Sequence, residues 1–397
     1  MIQLSIPGTY IMYGLVIVFA MFFASVSRKT IKHNPNYISN MNILAEETTI
    51  NNFFLRISFI ILIIPVCFRN YGIDHAGYLM WYNKIASYGI NYFKVYDGNP
   101  EPMFALLNFI VANLFGDFQF VYIISGIICA VFIYKALFEK SKQMNVIMCL
   151  WMFIVSFYFN FYGLVRISIA VSIMTYAYKY IEEKRFRKFL MLCIVAAMFH
   201  YSAIIMIAVY FLSVRKKEIT TNGIKQFIFL VFMAIIVPLG IYFASGLFIA
   251  LFSKFSWFGR YAGYFKTNIQ LSALKSSFWI YPLILIILLW GKQLKKVMNN
   301  YALYLRMFCI VLCLVGVSVF YRFERFTYYF YPTCIYLYSS VIKLPFHKNE
   351  KKAFILLYWI TVLIFGILWI YILYFGNSIL KSYLVPSGFN FTKYSLI

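Results

Sequence analysis

Three side chains combine reactive chemistry with apolar surroundings: Asp74, Arg166 and His200. Asp74 lies in Arg69-Asn-Tyr-Gly-Ile-Asp74-His-Ala-Gly-Tyr78, one carboxylate among aromatic rings just after an apolar run. A carboxylate so placed can take a proton from a hydroxyl, because general base work needs hydrogen-bond reach and a pKa that partial desolvation can raise. The same position would equally cap the helix that follows. Arg166 opens a helical stretch after Asn160-Phe-Tyr-Gly163-Leu-Val, where the positive end of the helix dipole disfavours a cation. A nearby anion would resolve that conflict, and helix N-termini and guanidinium forks both favour phosphate. The other reading is an arginine reaching to a membrane interface. His200, in Met198-Phe-His200-Tyr-Ser202, stands at the midpoint of an apolar stretch, able either to donate to a phosphate oxygen or to close a turn as a structural histidine.

The elements that must hold these residues are helices in a bilayer. Of 397 residues, 63% are hydrophobic and only 12% charged, more apolar surface than one water-soluble core buries. The fold class expected is all-α: a polytopic transmembrane bundle forming a single integral membrane domain over residues 1–397. Its candidate spans are 10–26, 53–68, 118–138, 146–161, 166–181, 227–252, 278–290, 303–320, 327–342 and 354–375. The first run lacks a basic leader and a small-residue cleavage pattern, so it reads as a retained span. Residues 189–212 are flanked by Lys184, Arg185, Arg187 and Lys188 on one side and Arg215, Lys216 and Lys217 on the other. Excess Lys and Arg marks cytoplasmic ends, so one crossing is forbidden and a short hairpin with His200-Tyr201 at its tip is expected. With 102–115 as a helix in the outer interface, the chain starts outside, and about two thirds of its basic residues fall inside. The net charge of +24 thus reports topology, not nucleic acid binding, since the basic residues are scattered between apolar runs. The seven cysteines all lie in or beside apolar segments and read as small core residues.

This topology leaves loops 69–117 and 253–277 on the outer side as the expected active-site face. The pooled outer inventory is Arg69, Arg166, Arg260, Arg322 and Arg325 against Asp74, Asp97, Glu101, Asp117 and Glu324. That balance suits an anionic, carbohydrate-like ligand. In Tyr321-Arg322-Phe-Glu324-Arg325-Phe-Thr-Tyr328-Tyr the rings serve as an interfacial belt or stack on sugar faces, and Glu324 can neutralise only one of the two arginines. Arg260 stands between Gly259 and aromatic residues, as a ligand or as a solvated loop charge. No metal and no cofactor are expected, because the few carboxylates lack metal-ligand spacing and several arginines can stabilise a departing diphosphate themselves.

The order of features resembles the Wzy-type, EpsG-like polysaccharide polymerases of bacterial inner membranes. The residues that carry the resemblance are Arg69 to Tyr78, Glu101-Pro102-Met-Phe, Arg166 with Ile169-Ala170, Ala197-Met-Phe-His200-Tyr-Ser202-Ala203, and Arg322 to Tyr329. Ile167 and Ile73 stand where members often have glutamine and threonine; neither exchange removes a charge. The resemblance implies a multi-pass protein of the bacterial cytoplasmic membrane with its active site facing outward. It also implies transfer of one undecaprenyl-diphosphate-linked oligosaccharide repeat to another, extending an O-antigen, capsule or exopolysaccharide. In that reading Asp74 activates the acceptor hydroxyl and Arg166 and His200 stabilise the leaving diphosphate. Arg69, Tyr78, Arg260, Arg322, Arg325 and Tyr328 bind substrate, and the pathway's flippase and chain-length regulator are the implied protein partners. A lipid-linked glycan flippase or a membrane acyltransferase is the competing class. No clear internal repeat favours the first, and only His200 could serve the second.

Overall fold

The computed structural model describes residues 2–3, 6–30, 48–70, 72, 74–95, 100–141, 143–214, 228–244, 246, 277–320, 323–344, 348–370 and 395–396. Apart from two minimal antiparallel ladders, Ile2–Gln3 with Ser395–Leu396 and Arg28–Thr30 with Thr48–Ile50, their regular structure is helical. In chain order the helices are α1 (Ile6–Val26), α2 (Asn52–Cys67), α3 (His75–Tyr88), α4 (Pro102–Leu114), α5 (Gln119–Lys140), α6 (Val146–Ser156), α7 (Val165–Glu182), α8 (Phe186–Phe199), α9 (Ile205–Ser213), α10 (Ile228–Phe243), α11 (Pro282–Val297), α12 (Tyr301–Ser318), α13 (Tyr331–Ser340) and α14 (Lys348–Ile370).

Among the described residues, five stretches are long and apolar enough to cross a membrane: Gly8–Val26, Gln119–Lys140, Phe278–Val297, Tyr301–Ser318 and Lys352–Ile370. Their unburied faces carry Val18, Leu285 and Leu357, as lipid-facing helices must. Other expected spans appear as shorter apolar helices, including α2, α6 and α10. Two are broken near one end. The run expected over 146–161 is helical to Ser156 and continues as a 3-10 turn over Tyr158–Tyr162. The run expected from Thr327 begins as a helical turn at Glu324–Thr327, tightens to a 3-10 turn at Tyr328–Phe330 and resumes in α13 with Pro332 at its start. Proline has no N–H to donate and favours a helix's first turn, which sets the restart.

The hairpin expected at 189–212 is present. The rings of Phe186 and Phe189, at the start of α8, lie 5.1 Å and 5.0 Å from that of Tyr210 near the end of α9. At its other end the Cys193 thiol reaches the Ala203 carbonyl at 3.3 Å. Two helices are capped at their starts: the Asn51 side chain accepts from Phe53 N at 3.0 Å, and that of Asn145 accepts from Met148 N at 3.0 Å.

At the centre stands α7, packed between α5 and α8 and buried on nearly its whole circumference. Its 18 residues give a length of about 27 Å, close to a hydrocarbon core. Polar groups gather at its two ends. At the C-terminal end Glu182 binds Lys140 of α5 and accepts from the Tyr304 hydroxyl of α12. Side-chain exposures of 5% for Lys140 and 9% for Glu182 mean that either charge alone would be stranded. Replacing Glu182 by alanine is therefore expected to destabilise the bundle by about 3–5 kcal/mol. Unfolding midpoints in detergent check this; a Glu182→Ala midpoint equal to the wild type's would show that the pair does not hold α5, α7 and α12 together.

Candidate functional site

The opposite, N-terminal end of α7 gathers side chains from separate parts of the chain. Arg166 donates from Nη1 to Glu101 Oε2. Its guanidinium carbon lies 4.5 Å from the centre of the Trp81 ring, and it interacts with the Tyr78 hydroxyl. Local structure explains the meeting. Glu101 precedes Pro102 at the start of α4, where a carboxylate is favoured by the helix dipole, whereas Arg166 at the start of α7 is opposed by its own helix. Pairing the two resolves both. The anion that the position of Arg166 requires is thus supplied within the protein. With 18% of its side chain exposed, Arg166 still has room for a second partner.

His200 lies outside every candidate span, between the limbs of the α8–α9 hairpin. Its Nδ1 is 3.6 Å from Glu101 Oε1, 3.2 Å from Ser202 Oγ and 3.5 Å from Ser202 N. Burial first, then Arg166 and Arg325, pushes its pKa down from 6.5 to about 3, so the approach to Glu101 is not an ion pair. With the Ser202 N–H aimed at Nδ1, that nitrogen is the acceptor and the ring's proton sits on Nε2. The Tyr329 hydroxyl lies 2.9 Å from Ser202 Oγ, and the Tyr329 carbonyl accepts from the Tyr178 hydroxyl at 2.9 Å, which fixes this arm of the site to α7. Arg325 acts electrostatically on His200 and makes no ion pair among the described residues.

Asp74 occupies the N-cap position of α3, yet its side chain makes no capping hydrogen bond. It lies close enough to the hydroxyls of Tyr78 and Tyr122 to act on both electrostatically. Its lone pairs are thus uncommitted, unlike those of Glu101. Arg69 is 2% exposed. It donates to the Val66 carbonyl at 2.6 Å and faces the Tyr122 ring at 4.0 Å, a desolvated cation–π contact. It supports the loop that carries Asp74 from beneath. The same loop needs glycine at position 72, where a Cβ would stand 2.2 Å from the Tyr162 carbonyl oxygen.

The structure therefore brings Tyr78, Arg166, His200 and Arg325 together, with Asp74 alongside Tyr78 and Arg69 behind it. The Tyr328 ring packs at 5.5 Å on Phe157 and 5.3 Å on Tyr331, at the break before α13. Arg260 and Arg322 lie outside the described residues. Glu101, Ser202 and Tyr329 entered the sequence reading within an outer-face inventory or a resembling segment without a role of their own at the site, and Trp81 was given none. Only Glu101-Pro102, a carboxylate before a helix-starting proline, carried a local signal. Among the described residues no group of three or more His, Cys, Asp or Glu side chains is placed to hold a metal ion.

A model of the EpsG family matches residues 52–386, a span that includes every residue of this cluster. No curated protein and no solved structure matches the chain.

The pH behaviour of His200 follows from its surroundings. The folded-state value lies below the ordinary 6.5, so the unfolded chain takes up this proton first. The stabilisation is complete above about 6.5 and is lost as pH falls toward about 3. Wild type should lose up to about 1.4 kcal/mol per pH unit more than His200→Gln across that acidic window. Unfolding midpoints of the two proteins against pH test this; parallel curves would mean that His200 is not held neutral.

Proposed function

The chain belongs to the EpsG family, and from that premise we propose that it polymerises polysaccharide by transferring one undecaprenyl-diphosphate-linked oligosaccharide repeat onto another at the outer face of the cytoplasmic membrane. Supporting this reading is one juxtaposition: a carboxylate with free lone pairs, Asp74, beside a cationic and hydrogen-bond-donating cluster of Arg166, Arg325 and His200, with Tyr78 between them.

In the reaction the acceptor hydroxyl attacks the anomeric carbon of the donor sugar. The new glycosidic C–O bond forms as the bond from that carbon to the diphosphate oxygen breaks, and the hydroxyl proton passes to Asp74. Undecaprenyl diphosphate leaves with the electron pair. The growing negative charge is met by the Arg166 fork, by Arg325 and by the Nε2–H of neutral His200, donors fixed in advance of the reaction. Glu101 holds Arg166 on the Trp81 face until the diphosphate arrives, and Arg69 positions the Asp74 loop. Arg260, Arg322 and Tyr328 complete the substrate-binding set in this proposal. The fold that goes with it is a single integral membrane domain of about ten spans plus the hairpin, its outer loops 69–117 and 253–277 framing the site. The lipid-linked repeats would come from the pathway's flippase, and a chain-length regulator would act alongside.

The test is the length distribution of surface polysaccharide in cells that lack the protein and are complemented with variants at equal protein levels. Deletion should leave single repeats. Asp74→Asn should lower polymerisation about 10²–10⁴-fold, the scale of a lost general base. Arg166→Lys keeps the charge but loses the planar fork, so chains should shorten. Long polymer made by the Asp74→Asn protein removes Asp74 from the mechanism, while accumulation of lipid-linked repeats on the cytoplasmic side in the deletion strain replaces polymerisation with transport.

A further inference from the structure

Behind the Asp74 loop, Arg69 keeps a cation out of water with no carboxylate bonded to it. It is 2% exposed, and among the described residues it makes no ion pair. Its Nη1 donates to the Val66 carbonyl at 2.6 Å, and the rings of Tyr122 and Tyr162 lie 4.0 Å and 5.8 Å from the guanidinium carbon. Its Nε has no hydrogen-bond partner. A buried guanidinium that lacks a bonded counter-ion and one of its hydrogen bonds is costly unless something else meets it. Asp74 acts electrostatically on the Tyr122 hydroxyl but is not bonded to Arg69.

Ser125, in the second turn of α5, has a matching deficit. Buried hydroxyls within a helix commonly bond back to the carbonyl one turn earlier, as Ser172 does to Ser168 at 2.7 Å and Thr175 to Val171 at 2.8 Å. The Ser125 hydroxyl is buried, the residue being 3% exposed, and it has no partner. Arg69 and Ser125 line the same small cavity between the end of α2, α5 and the start of α7, which Cys129 and Ser168 also line.

Donors outnumber free acceptors on this lining. The Nε–H of Arg69 and the O–H of Ser125 are both available to donate. The Val66 carbonyl already accepts from Arg69, the Ser168 hydroxyl is turned to the Asn160 carbonyl at 3.4 Å, and the α5 carbonyls belong to their helix ladder. A water molecule would accept from both donors and then have two hydrogens of its own to place, whereas an anion only accepts. No carboxylate lines the cavity to repel one. Space sets the ligand's size. The centre of a water-sized sphere can move through about 10 Å³, about the least that admits one such particle. Phosphate, sulfate and carboxylate-bearing molecules are too large, and a monatomic ion is left.

We propose that this cavity binds a monatomic anion of the chloride class, held by the Nε–H of Arg69 and the hydroxyl of Ser125. The ion neutralises Arg69, ties the end of α2 to α5 and so steadies the loop that leads to Asp74.

The experiment follows the full chain in neutral detergent while potassium gluconate is exchanged for potassium chloride at constant ionic strength. Its readouts are the unfolding midpoint and the binding of radioactive chloride. Chloride should bind at a single saturable class of site and raise the midpoint over the same concentration range, since a ligand of the folded state stabilises it by mass action. Ser125→Ala should bind chloride about tenfold or more weakly, because a hydrogen bond to a charged group is worth that much. In gluconate the variant should melt no lower than wild type, as the group it removes is an unpartnered hydroxyl. Absence of saturable chloride binding, or a chloride response in Ser125→Ala equal to that of wild type, overturns the proposal. Neither readout needs polymer synthesis, so the anion site and the polymerase reading stand or fall separately.

Discussion

The pairing of Arg166 with Glu101 is the constraint around which the end of the bundle at the start of α7 is arranged. A guanidinium at the start of a mostly buried helix meets both a desolvation cost and an adverse dipole. Glu101 removes the first and answers the second, and Trp81 covers one face of the cation. Because the two partners begin α7 and α4, their contact fixes where these helices start relative to each other. The hairpin tip then closes over Glu101 through His200, and Ser202 ties that tip to Tyr329. Each later contact depends on the first charge being neutralised.

The same helix separates two kinds of polar chemistry. Its apolar middle carries Ile169, Ala170, Ile173 and Met174, all buried, while its ends hold Arg166 and Glu182. At the Glu182 end the pair with Lys140 is nearly sealed, which suits a strut. At the Arg166 end the cation keeps some exposure, and its neighbours include an uncommitted carboxylate and a neutral histidine. The sealed strut and the proposed site of chemistry thus lie about one membrane thickness apart.

Much of this arrangement was legible in the sequence, and the rest was not for identifiable reasons. The hairpin followed from basic clusters on both flanks of one apolar run, a constraint that any single crossing violates. The need for an anion at Arg166 followed from the helix dipole. What could not be read was which anion: Glu101 lies 65 residues away, and a lone Glu-Pro pair does not announce a partner at that range. Arg69 looked like an outer-face ligand because it follows a span, but Tyr122, 53 residues later, draws it under the loop by presenting an aromatic face. The breaks at Tyr158–Tyr162 and Tyr328–Phe330 were hidden because both runs are mostly apolar and aromatic there, and hydropathy does not distinguish an α-helix from a 3-10 turn.

The two carboxylates near Tyr78 show how environment divides labour between like groups. Glu101, buried and bonded to Arg166, is held as a counter-ion. Asp74 stands in a capping position without making the cap, and it acts electrostatically on two phenolic hydroxyls, those of Tyr78 and Tyr122. A base beside Arg166 would be weakened by the charge that a leaving diphosphate requires. In the proposed reaction Tyr78, which interacts with both Asp74 and Arg166, keeps one neutral side chain between the proposed proton acceptor and the proposed anion-stabilising cation, so that one site could offer both functions.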